Sequence, residues 1–280
     1  MIDTEATAGA AGGPVLLRID GPLARITLNR PQKLNAMDGA LLDGLEAAVG
    51  TVARAPAVRV VLVGGAGRAF SAGLDLDMRA AGVPLSFFER QERVRRRLEA
   101  LPAITIAAVQ GHCLGGGLQL AIACDLRIGS SDCRLGLPAV MEGLFPGLAT
   151  VRLPRLIGLG PARRLILSGE SLGAPEALRQ GLIDYVVPAE RFAAGTAAVA
   201  ETFLRVPGAA AGASKRLLGR AFEAPLEALE AEMLPLMRDC LSSPDAAAAV
   251  AAWQQRRAAR RQDAPVRERP SPPPAQATRG

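Results

Sequence analysis

The chain has 280 residues, of which 49% are hydrophobic, 21% are charged and only 3% are aromatic. This balance supports a sizeable core and excludes disorder of the whole chain. The scarcity of aromatic side chains disfavours a stacking platform for single-stranded nucleic acid. No apolar run reaches the roughly 18 residues of a membrane span, so we expect no membrane partner. The first residues carry acids where a signal peptide has positive charge, so we expect a cytoplasmic protein.

The net charge of +6 is concentrated at one end of the chain. Residues 251–280 hold seven arginines against two acids, which accounts for +5 of that total. Basic side chains confined to a tail do not form the continuous basic face of a nucleic-acid-binding domain. We therefore expect no nucleic-acid partner.

Cysteine and histidine are too few and too irregularly spaced to indicate a metal site. The chain has one histidine, His112, and four cysteines: Cys113, Cys124, Cys133 and Cys240. Their spacings match none of the usual zinc patterns. We expect the cysteines to be reduced, buried thiols and His112 to be packed or held in a turn.

The first half of the chain alternates predicted strands and helices. Two short runs, 15–20 and 24–29, flank Gly21-Pro22 and predict a hairpin. Asp38 is a plausible N-cap for a helix whose apolar residues recur at helical spacing: Leu41, Leu42, Leu45, Ala48, Val49 and Val52. Further strands are predicted over 58–63, 104–109 and 125–129, a charged surface helix over about 85–99, and another helix over about 116–123.

After residue 150 the pattern is almost wholly helical. Helices are predicted over 150–157, 161–168, 174–180, 189–204, 208–221, 225–241 and 244–260, with a brief extended interruption at Tyr185–Val187. The alternating order before this region implies right-handed crossovers and a mainly parallel sheet. We therefore predict an α/β fold with a core over 14–205, a C-terminal helical region over 206–261, and disordered ends at 1–13 and 262–280.

Two glycine-marked segments follow buried strands, where open α/β sheets bind ligands. They are AFSAGLDL at 69–76 and GHCLGGGLQL at 111–120. The three glycines at 115–117 allow a ligand to approach the backbone, and the helix beginning there directs free N–H groups at it. A carbonyl that develops negative charge would suit such a site. Glycines that serve only tight strand–helix packing are the alternative, and the spacing fits neither a dinucleotide fingerprint nor a phosphate loop.

In combination, these segments resemble the crotonase superfamily, also called the enoyl-CoA hydratase/isomerase family. ITLNRPQKLNAM at 26–37 is similar to the N-terminal LNRP…NA signature of the family, and the segments 144–147 and 164–188 resemble two further signatures. The resemblance covers about residues 15–260. It implies a core of repeated ββα turns with a helical trimerisation region, and a homotrimer or a hexamer made of two trimers.

The resemblance also implies the ligand and part of the site. The ligand would be an acyl-CoA thioester, with coenzyme A as part of the substrate and no metal or redox cofactor. The backbone N–H groups of Leu74 and Gly116 would polarise the thioester carbonyl and stabilise an enolate. This agrees with the expectation, drawn from the glycines alone, of donors directed at developing charge.

Two positions depart from the family pattern. Family hydratases carry two glutamates that hold and activate water, and these positions are Gln119 and Ala139 here. Gln119 can orient a water or a carbonyl but cannot accept a proton, and Ala139 can do neither. Glu142, three residues beyond Ala139, lies on roughly the same face if 138–142 is helical, and is therefore the candidate base; a solvated or structural glutamate is the alternative.

Several side chains are candidates for contacts with coenzyme A. Arg30 and Lys33 stand beside the N-terminal signature, and Lys215, with the arginines at 256 and 257, could reach the phosphates from the helical region or from a neighbouring subunit. The resemblance adds Ala72 and Asp75 to this set. Solvated surface charge is the alternative for the basic residues, and capping or pairing is the alternative for Asp75 and Asp125.

Three functions remain open from the sequence. The first is an enoyl-CoA hydratase/isomerase-like enzyme that works through an oxyanion-stabilised enolate. The second is a decarboxylase of a malonyl-type thioester, because loss of CO₂ generates an enolate without a base. The third is an acyl-CoA-binding subunit without activity.

Overall fold

A hairpin and a run of parallel strands build the main sheet. The computed structural model describes residues 12–262, so the disordered ends predicted at 1–13 and 262–280 lie almost wholly outside the described residues. The sheet order is β1-β2-β3-β4-β6-β9, in which β1 and β2 are antiparallel and all other neighbours are parallel. The strands are β1 (Val15–Asp20), β2 (Leu23–Leu28), β3 (Val60–Gly65), β4 (Ile104–Val109), β6 (Leu126–Ser130) and β9 (Tyr185–Val187). The mainly parallel sheet predicted from the sequence is confirmed.

A second, smaller sheet was not predicted. It contains β5 (His112–Leu114), β7 (Arg134–Gly136) and β8 (Ser171–Gly173), with β5 parallel and β8 antiparallel to β7. Strands of three residues are too short to show a hydrophobic alternation, so the sequence gives no periodic signal for them. Their backbone partners come from distant segments of the chain, which local pattern does not report.

The predicted helices are present, with boundaries shifted by a few residues. The helices are α1 (Gly39–Ala53), α2 (Leu76–Ala80), α3 (Leu85–Glu99), α4 (Gly116–Ala121), α5 (Ala149–Ile157), α6 (Leu159–Ser168), α7 (Ala174–Arg179), α8 (Phe192–Leu204), α9 (Gly208–Arg220), α10 (Leu226–Leu241) and α11 (Pro244–Gln262). The Asp38 side chain caps α1 by accepting from the Leu41 N–H at 2.8 Å. All six apolar residues that predicted this helix are buried. Only α2, a helix of five residues, was missed.

One face of α3 is buried, although a surface helix was expected. Phe87, Val94 and Leu98 pack into the core, and the polar side chains of Gln91 and Arg95 are also buried. The expectation of a surface position was wrong for this face, because the buried charge of Arg95 is paired with Glu92 on α3, and Glu92 also pairs with Arg152 on α5. Ion pairing of this kind is what permits charged side chains in a core.

The C-terminal helical region leaves a large apolar surface exposed. Neither α9 nor α10 has a fully buried residue. The exposed apolar side chains there are Leu218, Phe222, Leu226, Met233, Leu234, Met237 and Leu241. No helix among residues 12–262 is both long and apolar enough to cross a membrane.

Asn35 anchors the loop that follows β3. It is fully buried, and its amide nitrogen donates to the carbonyl oxygens of Ala66 (2.9 Å) and Ala69 (2.8 Å). Its side-chain oxygen accepts from the Arg30 N–H at 2.8 Å. The backbone of Asn35 is left-handed, with φ of 54°, which Asn tolerates better than most residues. One side chain thus joins the N-terminal signature to the start of the glycine-marked loop.

Replacing Asn35 with alanine should destabilise the fold by about 2–4 kcal/mol, because buried polar groups lose their partners and the left-handed backbone loses its preferred residue. Chemical denaturation would measure the loss. Asn29→Ala is the matched control, since the Asn29 side chain makes one hydrogen bond, to the Gly13 oxygen, and the residue is only half-buried. Equal stability of the two variants would show that Asn35 does not anchor the loop.

Candidate active site

A cavity of about 540 Å³ lies between the loop after β3 and the start of α4. It is lined by the two glycine-marked segments, the N-terminal signature, the turn 138–145 and the buried face of α3. Eight of the candidate site residues predicted from the sequence contribute to the lining. They are Lys33, Ala72, Leu74, Asp75, Gly116, Gln119, Ala139 and Glu142. Segments far apart in the sequence therefore converge on one space.

Backbone pairing on both sides fixes the loop that carries Leu74. On one side, Met37 N–H donates to the Gly73 oxygen (2.6 Å), and Asp75 N–H donates to the Met37 oxygen (3.0 Å). On the other side, Leu114 N–H donates to the Ser71 oxygen at 2.9 Å. The loop thus lies as a short extended segment between two neighbours, and its peptide groups have fixed directions.

Two N–H groups beside the cavity have no hydrogen-bond partner within residues 12–262. The two hydrogen bonds to Met37 use the oxygen of Gly73 and the N–H of Asp75, so neither involves the N–H of Leu74. Gly116 is the first residue of α4, so its N–H has no acceptor within the helix. The two peptides are close, since a Cβ built on Gly73 would lie 3.3 Å from the Gly116 nitrogen. Both residues line the same cavity.

Only glycine fits at the two positions that bring these peptides together. Gly73 has φ of +98°, and a Cβ there would lie 2.8 Å from the Leu114 carbonyl oxygen. Gly115 has φ of +50° and ψ of −115°, a conformation that side chains disfavour. The glycines therefore serve a close approach of two backbones, and the cavity lies beside that approach.

Gln119, Ala139 and Glu142 all line the cavity. Gln119 follows Gly116 by three residues on α4, and the 3-10 turn Pro138–Glu142 carries the other two. Because residues three apart eclipse in a 3-10 helix, Glu142 lies over Ala139, on the shared face predicted for a helical 138–142. The Glu142 side chain is exposed at the rim, where its carboxylate lies 3.5 Å from Arg79 Nη1.

The other carboxylates that line the cavity are engaged by protein groups. Asp75 accepts from the N–H groups of Asp77 (3.0 Å) and Met78 (3.3 Å), and pairs with Arg30 at 3.0 Å. Burial raises the pKa of Asp75, but the hydrogen bonds from Met78 and Arg30 outweigh it and hold the pKa below its ordinary value. Asp77 pairs with Lys33 at 2.6 Å, and this contact raises the pKa of Lys33. Glu142 is therefore the lining carboxylate with the longest ion pair, 3.5 Å from Arg79, and its side chain is 40% exposed.

The structure does not bring every candidate for coenzyme A to the cavity. Arg30 pairs with Asp38 and Asp75 and donates to the Ala36 oxygen at 2.6 Å, so it supports the loop. Lys215 lines a different cavity of about 910 Å³ and pairs with Asp125 at 2.7 Å. Within this chain both cations are paired with internal acids, and their contact with coenzyme A stays a prediction.

The remaining candidates also lie outside the cavity lining. The arginines at 256 and 257 belong to α11. Asp125 binds Thr105 and Lys215, which is the pairing role given as its alternative. His112 is exposed at the start of β5.

Three of the four cysteines are buried in the core, as expected. Burial raises the pKa of Cys113 well above its ordinary value, and raises that of Cys124 and of Cys133 to about 12. These thiols stay protonated at neutral pH and are poor nucleophiles. Cys240 is half-buried on α10. No group of three metal-ligating side chains occurs in the part of the chain that the structure describes.

Gln91 is a buried polar residue of the cavity that the sequence did not indicate. It lies on the buried face of α3 and is 6% exposed. Its neighbours on the helix are mostly charged, so the sequence pattern places it on a surface helix. Only the partners of those charges, on other elements, reveal that this face is buried.

The chain and its fold match known proteins over most of their length. The sequence matches the model of a family described as enoyl-CoA hydratase/isomerase over residues 18–263. It is 34% identical to a short-chain-enoyl-CoA hydratase of Clostridium acetobutylicum, over 87% of this chain and 95% of that protein. The structure of an enoyl-CoA hydratase from Mycobacterium smegmatis is similar with a TM-score of 0.81 and 31% identity, covering 87% and 96% of the two chains.

A candidate enoyl-CoA hydratase from Thermobifida fusca, solved in complex with CoA, is similar with a TM-score of 0.74 and 34% identity. That match covers 83% of this chain and 94% of the other. The fold and the type of enzyme expected from the motifs are confirmed by these matches. The chain belongs to the enoyl-CoA hydratase/isomerase family.

Proposed function

We propose that this chain binds an acyl-CoA thioester in the 540 Å³ cavity and stabilises an enolate with the N–H groups of Leu74 and Gly116. The observation that carries the proposal is the pair of free N–H groups on adjacent, fixed backbones that line one cavity. The relative solved with CoA supports the class of ligand.

The two N–H groups act where negative charge develops. A thioester oxygen that accepts from both draws electron density away from its carbonyl carbon. This activates a double bond at the next carbons toward water and lowers the cost of removing a proton beside the carbonyl. Each fixed donor of this kind accounts for about 10²–10³ in kcat, since it requires no reorganisation during the reaction.

Proton transfer is assigned to Glu142, with Gln119 as the group that orients water or substrate. A carboxamide donates and accepts hydrogen bonds but does not take up a proton near neutral pH. Glu142 lies over Ala139, one of the positions where the resemblance expects a catalytic glutamate. In hydration, the carboxylate of Glu142 would accept one proton from the attacking water, whose oxygen bonds to the third carbon and keeps its other proton. Glu142 would then deliver the accepted proton to the carbon beside the carbonyl.

Decarboxylation of a malonyl-type thioester is the second candidate. The observation that favours it is the uncharged side chain at both 119 and 139. Cleavage of the bond to the carboxyl group releases CO₂ and leaves its electron pair in the enolate, so the same oxyanion site suffices. Binding without turnover is the third possibility.

The purified protein should hydrate crotonyl-CoA or isomerise a 3-enoyl-CoA, and Glu142→Gln should reduce that turnover by at least about 10² while leaving CoA binding intact. Mass spectrometry of products and calorimetry with CoA measure the two effects. CO₂ release from methylmalonyl-CoA, unaffected by Glu142→Gln, would instead establish the decarboxylase.

Glu176→Gln is the control for this experiment, since Glu176 is also a partly exposed carboxylate paired with arginines but lies outside the cavity lining. Unchanged turnover in Glu142→Gln would remove Glu142 as the base. Binding of acyl-CoA with no product from any of the three thioesters would overturn the catalytic proposal.

Placing glutamates at positions 119 and 139, where this chain departs from the family pattern, should raise the rate of hydration. The double variant Gln119→Glu and Ala139→Glu supplies two carboxylates that line the cavity, one from α4 and one from the 3-10 turn, and a gain of about 10²-fold or more in crotonyl-CoA hydration is expected. Each single variant serves as the control and should gain much less. If the folded double variant shows no gain, the acyl site differs from that of a hydratase in more than these two side chains.

We also propose a homotrimer, or a hexamer of two trimers, in the cytoplasm. The exposed apolar side chains of α9 and α10 support the assembly, since such a surface marks an interaction site. Lys215 and the arginines of α11 could then meet coenzyme A only across a subunit boundary. The mass in solution by light scattering distinguishes these states from a monomer.

A further inference from the structure

The buried face of α3 brings one polar side chain to the cavity, beside Gly116. Gln91 is 6% exposed, and its amide nitrogen lies 3.8 Å from the position of a Cβ on Gly116. It lines the same cavity as Leu74 and Gln119. Neither the proton transfer nor the oxyanion contacts described above use this side chain.

A neighbouring cation fixes which end of the carboxamide faces the cavity. Arg95 Nη2 donates to Gln91 Oε1 at 3.0 Å. A guanidinium only donates, so the amide oxygen must face Arg95 and the NH₂ group must face the other way. The described partner of that NH₂ group is the sulfur of Met37 at 3.7 Å, which is a weak acceptor. Gln91 therefore presents an under-used donor to the cavity.

A chain of ion pairs holds Arg95 in this position. Arg95 is 4% exposed and lies 3.6 Å from Glu92. Arg152 on α5 bridges Glu92 and Glu99, with its Nε 2.5 Å from Glu99 Oε1. Burial lowers the pKa of Arg95 to about 10, so the side chain remains protonated at neutral pH. Two arginines and two glutamates make this ion-pair cluster neutral. Gln91 contacts the cluster through Arg95 and lines the cavity.

We infer that Gln91 is a specificity-determining residue whose NH₂ group donates to a neutral oxygen, a ketone or hydroxyl, on the third carbon of the acyl group. This inference rests on the proposed function. Because Gln91 lies beside Gly116, an acyl group whose carbonyl oxygen accepts from the Gly116 N–H would have its following carbons within reach of this side chain. An acyl group with a methylene at the third carbon would leave the buried NH₂ group of Gln91 without a good acceptor, and a buried donor without an acceptor costs free energy of binding. The neutral ion-pair cluster supplies no net charge for a buried carboxylate, which favours a neutral oxygen.

The test compares the affinities of butyryl-CoA and acetoacetyl-CoA, which differ in the oxygen at the third carbon. We expect the wild-type protein to bind acetoacetyl-CoA about tenfold more tightly by calorimetry. Gln91→Met keeps the side-chain volume but removes the donor, and should bring the two affinities to within about twofold. Gln91→Glu keeps the partner of Arg95 but presents an acceptor, and should favour butyryl-CoA.

Gln32→Met is the matched control, because Gln32 is exposed at the same cavity and should leave the ratio of affinities unchanged. If Gln91 only supported the structure, Gln91→Met would weaken the binding of both ligands equally, and that result would overturn the inference. Equal binding of both ligands by the wild-type protein would overturn it too, while leaving the proposed function standing. Failure of the wild-type protein to bind either ligand would overturn the proposed function itself.

Discussion

The site depends on backbone pairing that fixes the loop after β3 from two sides. Met37 pairs with the loop on one side, and the segment Cys113–Leu114 pairs with it on the other. These hydrogen bonds satisfy the peptide groups that surround Leu74 and leave its own N–H free, next to the free N–H of Gly116. Leu74 and Gly116 are half-buried and line the cavity, so their free N–H groups are poised for a ligand oxygen. Asn35 holds the start of the same loop through its buried carboxamide.

This construction separates the binding of the thioester from the chemistry that follows. The proposed oxyanion site consists of main-chain donors, so it does not depend on which side chains stand around it. In the proposal, proton transfer falls to Glu142, because positions 119 and 139 carry no carboxylate and Asp75 and Asp77 are paired with Arg30 and Lys33. In this proposal the same backbone can serve hydration, isomerisation or decarboxylation, and the side chains at 119, 139 and 142 would decide among them. The inferred role of Gln91 adds a selection on the acyl group itself, which is independent of proton transfer.

Much of the fold followed from local pattern, because α1, β4 and α3 have strong periodicity or continuous apolar runs. The site followed largely from the motifs, since the glycines at 73 and 115–117 have few conformational substitutes and the cavity indeed lies beside them. What the sequence could not provide came from contacts between distant segments. The three-residue strands β5, β7 and β8 have no periodic signal, and the buried state of Gln91 depends on Arg152, some sixty residues away. The internal pairing of Arg30 and Lys215 was likewise hidden, since a basic residue in a sequence does not show its partner.

A crystal structure with bound butyryl-CoA tests the central claim most directly. The account predicts that the thioester oxygen lies about 2.7–3.1 Å from the nitrogens of both Leu74 and Gly116. A thioester bound elsewhere, or an oxygen that contacts only one of the two nitrogens, would contradict it.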